Sequence, residues 1–354
     1  MMTDDLGLAF VGTYTDPDED GVFGFRVDDE GALHPTTAVS GGPDPTFLAP
    51  DSAGERLYVA NRPADEGAVV AYDIDREAGA LSRLNQAPTK GNGTPCYCSV
   101  NATDRCVLTA QYGGGTVSVL PIGEDGRVDD PTAVVEHEGT GPNEDRQEAP
   151  HPHSIRTGPD NEYAYAPDLG ADRVFVYDFD PAAGTLDPAD CGHVDVRPGA
   201  GPRHLDFHPN GRWVYLINEL DSTVTAFERD PETGGLEAFA TETTLPEGFD
   251  GENITADIHV HPSGEYLYGS NRGHDSIAVF ELDDEGVPTL VETESTRGEW
   301  PRNFALGPSG AFLFAENADT DDIVTFQIGD DGTLDPTGHV TEVPSPVCLR
   351  FVNE

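Results

Sequence analysis

Internal repetition constrains this chain most. Six segments share one pattern: a leading Pro or Thr, a short strand, a D/H-P-x-G-type turn, an aromatic-bearing strand usually ending in Asn or Asp, then a third strand. They begin at Pro45, Pro95, Pro152, Pro202, Thr255 and Pro301, so successive starts lie 50, 57, 50, 53 and 46 residues apart. Turns such as EAGAL, AAGTL and DDGTL lead most units into a fourth strand. Runs such as Val174-Phe-Val-Tyr177 alternate with the period of two that a pleated strand imposes. Four short strands per unit of about fifty residues is the arithmetic of a propeller blade.

The chain ends complete the count. Pro346-Val-Cys-Leu-Arg-Phe-Val352 reads as a first strand with nothing after it, whereas Leu8–Thr13 and Gly21–Phe25 read as second and third strands with no first. Joined, they make a seventh blade that closes the ring and leaves no open edge there. The expectation over residues 1–354 is all-β: one seven-bladed propeller domain of four-stranded blades.

In a propeller, first strands line the central channel and one mouth carries their leading residues beside the ends of second strands. The repeat places Thr46, Cys96, His153, Arg203, Ala256, Arg302 and Val347 at the first kind of position, and Arg62, Tyr112, Leu169, Glu219, Arg272 and Ala318 at the second. Structural repeat positions should be bland; these hold a histidine, four arginines and a carboxylate. That concentration is a functional signal, because arginine is scarce here.

The scarcity belongs to an extreme charge balance. Asp and Glu number 66 against 19 Lys and Arg, a net charge of −47, and Lys90 is the one lysine. Such a surface repels nucleic acid and anionic membranes, which excludes both as partners. The carboxylates are spread along the chain rather than gathered in a tail, and their mutual repulsion is relieved by concentrated salt, where the Debye length is only ~3 Å at 1 M. The composition therefore points to a halophilic protein of a high-salt cytoplasm. No stretch approaches the ~18 apolar residues of a membrane span, and MMTDDLGLAF does not resemble a targeting signal. The five cysteines, Cys96, Cys98, Cys106, Cys191 and Cys348, lack disulfide or zinc spacing and read as reduced thiols.

Most catalytic signatures are missing: there is no G-x-S-x-G elbow, no H-E-x-x-H and no phosphate loop. Ser154 follows His153 directly, and adjacent strand residues face opposite ways, so a Ser-His pair is not expected. His259 and His261, with His208 at the position equivalent to His261, raise a metal site. Since His208 and His261 each precede a Pro at a blade turn, they read instead as turn residues; no metal or organic cofactor is expected. Glu144–Glu148 lies in the longest inter-blade connection, at a place where it can overhang the mouth.

Whole-chain motifs resemble the seven-bladed lactonase family, which contains bacterial-type 6-phosphogluconolactonases and fungal carboxymuconate-cyclising enzymes. They are Val11-Gly-Thr-Tyr-Thr15, His151-Pro-His-Ser154, Asp168–Arg173, Gly201-Pro-Arg-His204, Asn218-Glu-Leu220, Ala256-Asp-Ile-His259 and Ser270-Asn-Arg272. The resemblance implies an active-site set of His153, Arg203, Glu219 and Arg272, with Asp257 in support; the repeat had already singled out the first four. His151, His204 and Arg302 complete the supporting set. The expected activity is hydrolysis of 6-phosphoglucono-1,5-lactone or a related small anionic sugar lactone. In it His153 acts as base, Arg203 contacts the carbonyl, Glu219 orients, and Arg272 holds the phosphate. A carboxymuconate-type cycloisomerase and a non-catalytic propeller that binds a partner at its mouth are the alternatives. Oligomeric state is open, a monomer being compatible.

Overall fold

The computed structural model describes residues 5–63 and 66–352. It contains seven four-stranded antiparallel sheets, and the repeat boundaries match them unit for unit. Blades are numbered from the segment at Pro45, so that blade 4 comprises Pro202–Phe207, Trp213–Asn218, Thr223–Arg229 and Leu236–Thr243. Its second strand is buried along its whole length, while its outermost strand has mostly exposed positions. This gradient is what stacked blades dictate: inner strands are covered on both faces, outer ones only on part of one.

Blade 7 joins the termini. Pro346–Val352 pairs antiparallel with Asp5–Thr13, Leu8 opposite Val352 and Val11 opposite Leu349. The ring is closed by hydrogen bonds between the two ends of the chain.

The D/H-P-x-G turns explain themselves in backbone terms. Their last residue has positive φ in every blade from 1 to 6: Gly54, Gly211, Gly264 and Gly310 in four, Asp104 and Asn161 in the other two. Without a Cβ glycine enters this region freely, and Asp and Asn are among the side chains that tolerate it. These turns also tie blades together. His208 Nε2 bonds the Gly264 carbonyl at 2.9 Å and His261 Nε2 the Gly310 carbonyl at 3.0 Å. Both histidines are the turn residues the sequence suggested.

One departure concerns blade 3, whose first strand is reduced to Arg156–Thr157. The preceding His151–Ile155 run is held by single contacts, such as the amide of His153 on the Pro167 carbonyl at 3.0 Å. Ser154 Oγ donates to the Arg203 carbonyl at 2.9 Å, away from His153. No helix among the described residues is long and apolar enough to cross a membrane.

Candidate active site

Five first strands carry a bulge at their leading end, and the residues left unpaired include the one the repeat singled out; in blade 7 it is Val347, between Pro346 and Cys348. Pro95 pairs with Gln111 and Tyr97 with Ala110, leaving Cys96 unpaired. Pro202 and His204 pair with Asn218 and Ile217 around Arg203, and Pro301 and Asn303 pair with Asn317 and Glu316 around Arg302. In blade 5 the shift falls between Thr255 and Ile258, around Ala256 and Asp257. A bulge breaks the alternation of faces and re-aims a side chain, which is why bulges gather at barrel rims and active sites. Here they turn leading residues toward the channel mouth.

Glu219 is the hub. Its Oε2 accepts from Arg203 Nε and Arg272 Nη2, both at 2.9 Å, and its Oε1 accepts from Arg146 Nη2 at 2.5 Å. Burial pushes its carboxyl up, but Arg272, Arg203 and Arg146 together hold it down at about 2. His153 Nε2 lies 4.0 Å from the same Oε2, too far for a direct hydrogen bond. Burial, followed by the charges of Arg203, His204 and Arg302, puts His153 well below 6.5, so its imidazole is neutral at pH 7. Burial likewise lowers Arg203 to about 9, with Arg272 and Arg302 adding to the effect.

Behind this layer sits a second one. Arg203 Nη1 reaches His204 Nε2 at 3.2 Å and the Ala256 carbonyl at 2.5 Å. His204 Nδ1 bonds Asp257 Oδ1 at 2.7 Å, while Asp257 Oδ2 meets His259 Nε2 at 3.0 Å and also Asn303 Nδ2. Burial and then Arg203 push His204 down to about 3. It is thus a neutral donor to an ionised Asp257.

A cavity of about 440 Å³ opens at this mouth, lined by Arg62, Cys96, Tyr112, Arg146, His153, Glu219, Arg272 and Arg302 among others. Of the expected residues, His153, Glu219, Arg272 and Arg302 lie on its wall. Arg203 bonds Glu219 from behind the wall, and His204 and Asp257 belong to the deeper layer. His151 stacks on Tyr112 with centroids 4.5 Å apart and bonds the Tyr112 carbonyl at 2.9 Å, so it backs the wall without lining the cavity.

Four contributors were not in the expected set. Arg62 and Tyr112 stand at the repeat positions already identified. Arg146 comes from the long connection after blade 2, which does overhang the mouth. Tyr14 is the seventh member of the second-strand ring, following Thr13 as Arg62 follows Asn61; extending the repeat to the N-terminal strand would have found it.

A slightly larger cavity, about 450 Å³, lies at the far ends of the first strands. Its cations are already satisfied: Arg156 pairs with Asp206 at 2.7 Å, and Arg350 covers the Phe47 ring at 4.7 Å while bonding Asn303 Oδ1 at 3.2 Å. The first mouth is therefore the candidate site.

A closed propeller with a neutral histidine, a guanidinium-bound carboxylate and, among the described residues, arginines without a carboxylate partner at one channel mouth defines a class: a propeller with a polar, ionisable pocket at its channel mouth. The comparisons narrow it. A family described as lactonase, 7-bladed beta-propeller, matches residues 8–351. The 6-phosphogluconolactonase of Bacillus subtilis is 36% identical over 98% of this chain and 99% of its own length. That of Pectobacterium carotovorum is 34% identical over 76% of this chain and 75% of its own. The structure of the periplasmic gluconolactonase of Pseudomonas aeruginosa superposes with a TM-score of 0.91 at 33% identity, covering 98% of this chain and 99% of that one. The chain belongs to the seven-bladed β-propeller lactonase family, and it is a lactonase.

Proposed function

We propose that the protein hydrolyses 6-phospho-D-glucono-1,5-lactone to the open-chain acid by general-base catalysis without a metal. The observation that carries this reading is a neutral His153 and an ionised Glu219 4.0 Å apart on the wall of an arginine-lined cavity. A lactone carbonyl is already electrophilic, so a positioned base for water and a cation for the developing oxyanion supply what the reaction needs. His153 takes the proton from the attacking water. Glu219 fixes the guanidiniums and faces the imidazolium as it forms.

The division of labour among the arginines differs from the sequence expectation. Arg203 is 1% exposed and engaged through Nε with Glu219 and through Nη1 with Ala256 and His204, so it acts as a support. Arg272 lines the cavity, its Nη2 bound to Glu219 and to the Thr255 carbonyl at 2.5 Å, while its Nε has no partner among the described residues. In this reading Arg272 contacts the lactone carbonyl. The arginine field that lowers His153 weakens it as a base in the empty site; an anionic substrate cancels part of that field and restores basicity when it is needed.

The test is lactone hydrolysis in multimolar KCl with the spontaneous rate subtracted. Folded His153→Ala should lose ~10²–10⁴-fold in kcat, the usual contribution of a general base. Full activity in that variant would overturn the mechanism.

A further inference from the structure

We infer that Arg62 and Arg302, set around the Tyr14 ring, form a subsite that reads a phosphate monoester on the sugar and so decides between phosphorylated and neutral lactones. The inference rests on the lactonase reading above and moves the substrate's anion from Arg272 to Arg62 and Arg302. It also frees Arg272 for the carbonyl.

The starting observation is electrostatic. Among the described residues, eight arginines elsewhere pair with an Asp or Glu, at Arg56, Arg127, Arg156, Arg173, Arg197, Arg212, Arg229 and Arg297. That is the natural fate of a guanidinium in a chain of net charge −47. At the mouth, Arg146 and Arg272 share Glu219. Arg62 and Arg302 line the same cavity, yet among the described residues neither makes an ion pair or a side-chain hydrogen bond. Arg62 Nε is buried with no partner among the described residues. Four arginines and one carboxylate thus line the cavity, an excess of positive charge that no other carboxylate among the described lining residues neutralises.

Second, the two are held together. Their guanidinium carbons lie 5.7 and 5.6 Å from the Tyr14 ring centroid. Cation–π contact orients a guanidinium while leaving its in-plane N–H groups free. Each side chain comes from a different blade, Arg302 from a first-strand bulge, Arg62 from a second-strand end, and Tyr14 from the N-terminal strand of blade 7. Two pre-oriented, unpaired guanidiniums offer forked donors of the kind that bind tetrahedral phosphate oxygens. A neutral hydroxymethyl group would leave both charges desolvated and unpaired, so the subsite discriminates against it.

Third, the arrangement couples binding to chemistry. Arg302 is one of the charges that depress His153. A dianion on Arg302 screens that charge and raises the basicity of His153, so phosphate recognition also activates the base.

The experiment compares 6-phosphoglucono-lactone with glucono-lactone, both in multimolar KCl, for wild type, Arg62→Ala, Arg302→Ala, the double variant and Arg302→Lys. Thermal melts first establish that each is folded. Removal of two charge-assisted contacts should lower the ratio of kcat/KM for the phosphorylated over the neutral lactone by ~100-fold in the double variant. Lys at 302 should recover part of it. Calorimetry with 6-phosphogluconate should show binding to wild type that is lost in the double variant. An unchanged ratio in a folded, active double variant overturns the subsite and leaves the lactonase reading standing. Failure of wild type to hydrolyse either lactone, with 6-phosphogluconate binding still dependent on both arginines, overturns the reaction and leaves the subsite standing.

Discussion

Replacing Glu219 with Gln tests the centre of the site most directly. The side chain is 3% exposed and accepts from three guanidiniums. A carboxyl that titrates at about 2 when folded, against 4.5 when unfolded, stabilises the fold by about 3 kcal/mol above pH 4.5, at roughly 1.4 kcal/mol per pH unit. Removing one partner of a buried ion pair costs a similar ~3–5 kcal/mol, because the remaining charges stay buried and unpaired. For 354 residues at ~2.1 cal/mol/K each, the unfolding entropy is about 0.7 kcal/mol/K, so Tm should fall by about 4–7 °C.

The pH dependence gives an independent readout. Because the folded value lies below the unfolded one, this stabilisation is complete above pH 4.5 and is lost as pH falls from 4.5 toward 2. Wild type should therefore lose its Tm advantage over Glu219→Gln within that window. Arg146→Ala serves as the control: its side chain is 36% exposed, so its pair with Glu219 is worth no more than about 1 kcal/mol, or about 1 °C. Calorimetric melts at pH 7 and across the acid range measure all three proteins. A Glu219→Gln variant that melts within 1 °C of wild type at pH 7, or curves that run parallel below pH 4.5, would refute the reasoning.

Deleting residues 346–354 removes the strand that pairs with Leu8–Thr13, and urea unfolding should broaden from one cooperative transition; a sharp transition at the wild-type midpoint would show that closure is dispensable. Glu316 is fully buried with neither oxygen hydrogen-bonded among the described residues, and burial raises its carboxyl well above 4.5. Its contribution is thus present below pH 4.5 and lost as pH rises, by roughly 1.4 kcal/mol per pH unit up to its folded value. Glu316→Gln should be more stable than wild type at pH 7, with a gap that closes toward pH 4.5; denaturant titrations at both pH values check this. Melting temperature should also climb from about 0.1 M to multimolar KCl as the −47 charge is screened, and a flat or falling curve would remove the halophilic reading.

Blade boundaries were legible because they rest on local physics: alternation for strands, a positive-φ residue at each turn, and two incomplete ends that fit each other. The ring of mouth residues was legible for the same reason, since a fixed register puts equivalent positions at equivalent heights. What strict alternation could not convey is the bulge. Arg203 and His204 are neighbours in the chain, and a regular strand would point them to opposite sides. The unpaired residue at 203 instead lets the guanidinium touch its neighbour's ring while bonding Glu219. Asp257 reaches His204 through the equivalent irregularity in blade 5. Arg146 was out of reach for another reason: it lies in a connection with no counterpart in other blades, so repetition says nothing about where its side chain lands.

The charge pattern makes physical sense only when both length scales are considered together. A −47 molecule repels an anionic lactone at long range, and unscreened repulsion would slow every encounter. Salt at 1 M reduces the Debye length to ~3 Å, which erases the distant carboxylates while leaving contacts inside a desolvated cavity largely intact. Under those conditions the phosphate of the proposed substrate senses chiefly the arginines it touches. Glu219 alone offsets four of them on the cavity wall, so the local sign is positive where the molecular sign is strongly negative. In the proposed reading, surface carboxylates and mouth arginines then work without conflict, one set governing hydration at the surface and the other governing recognition at atomic contact.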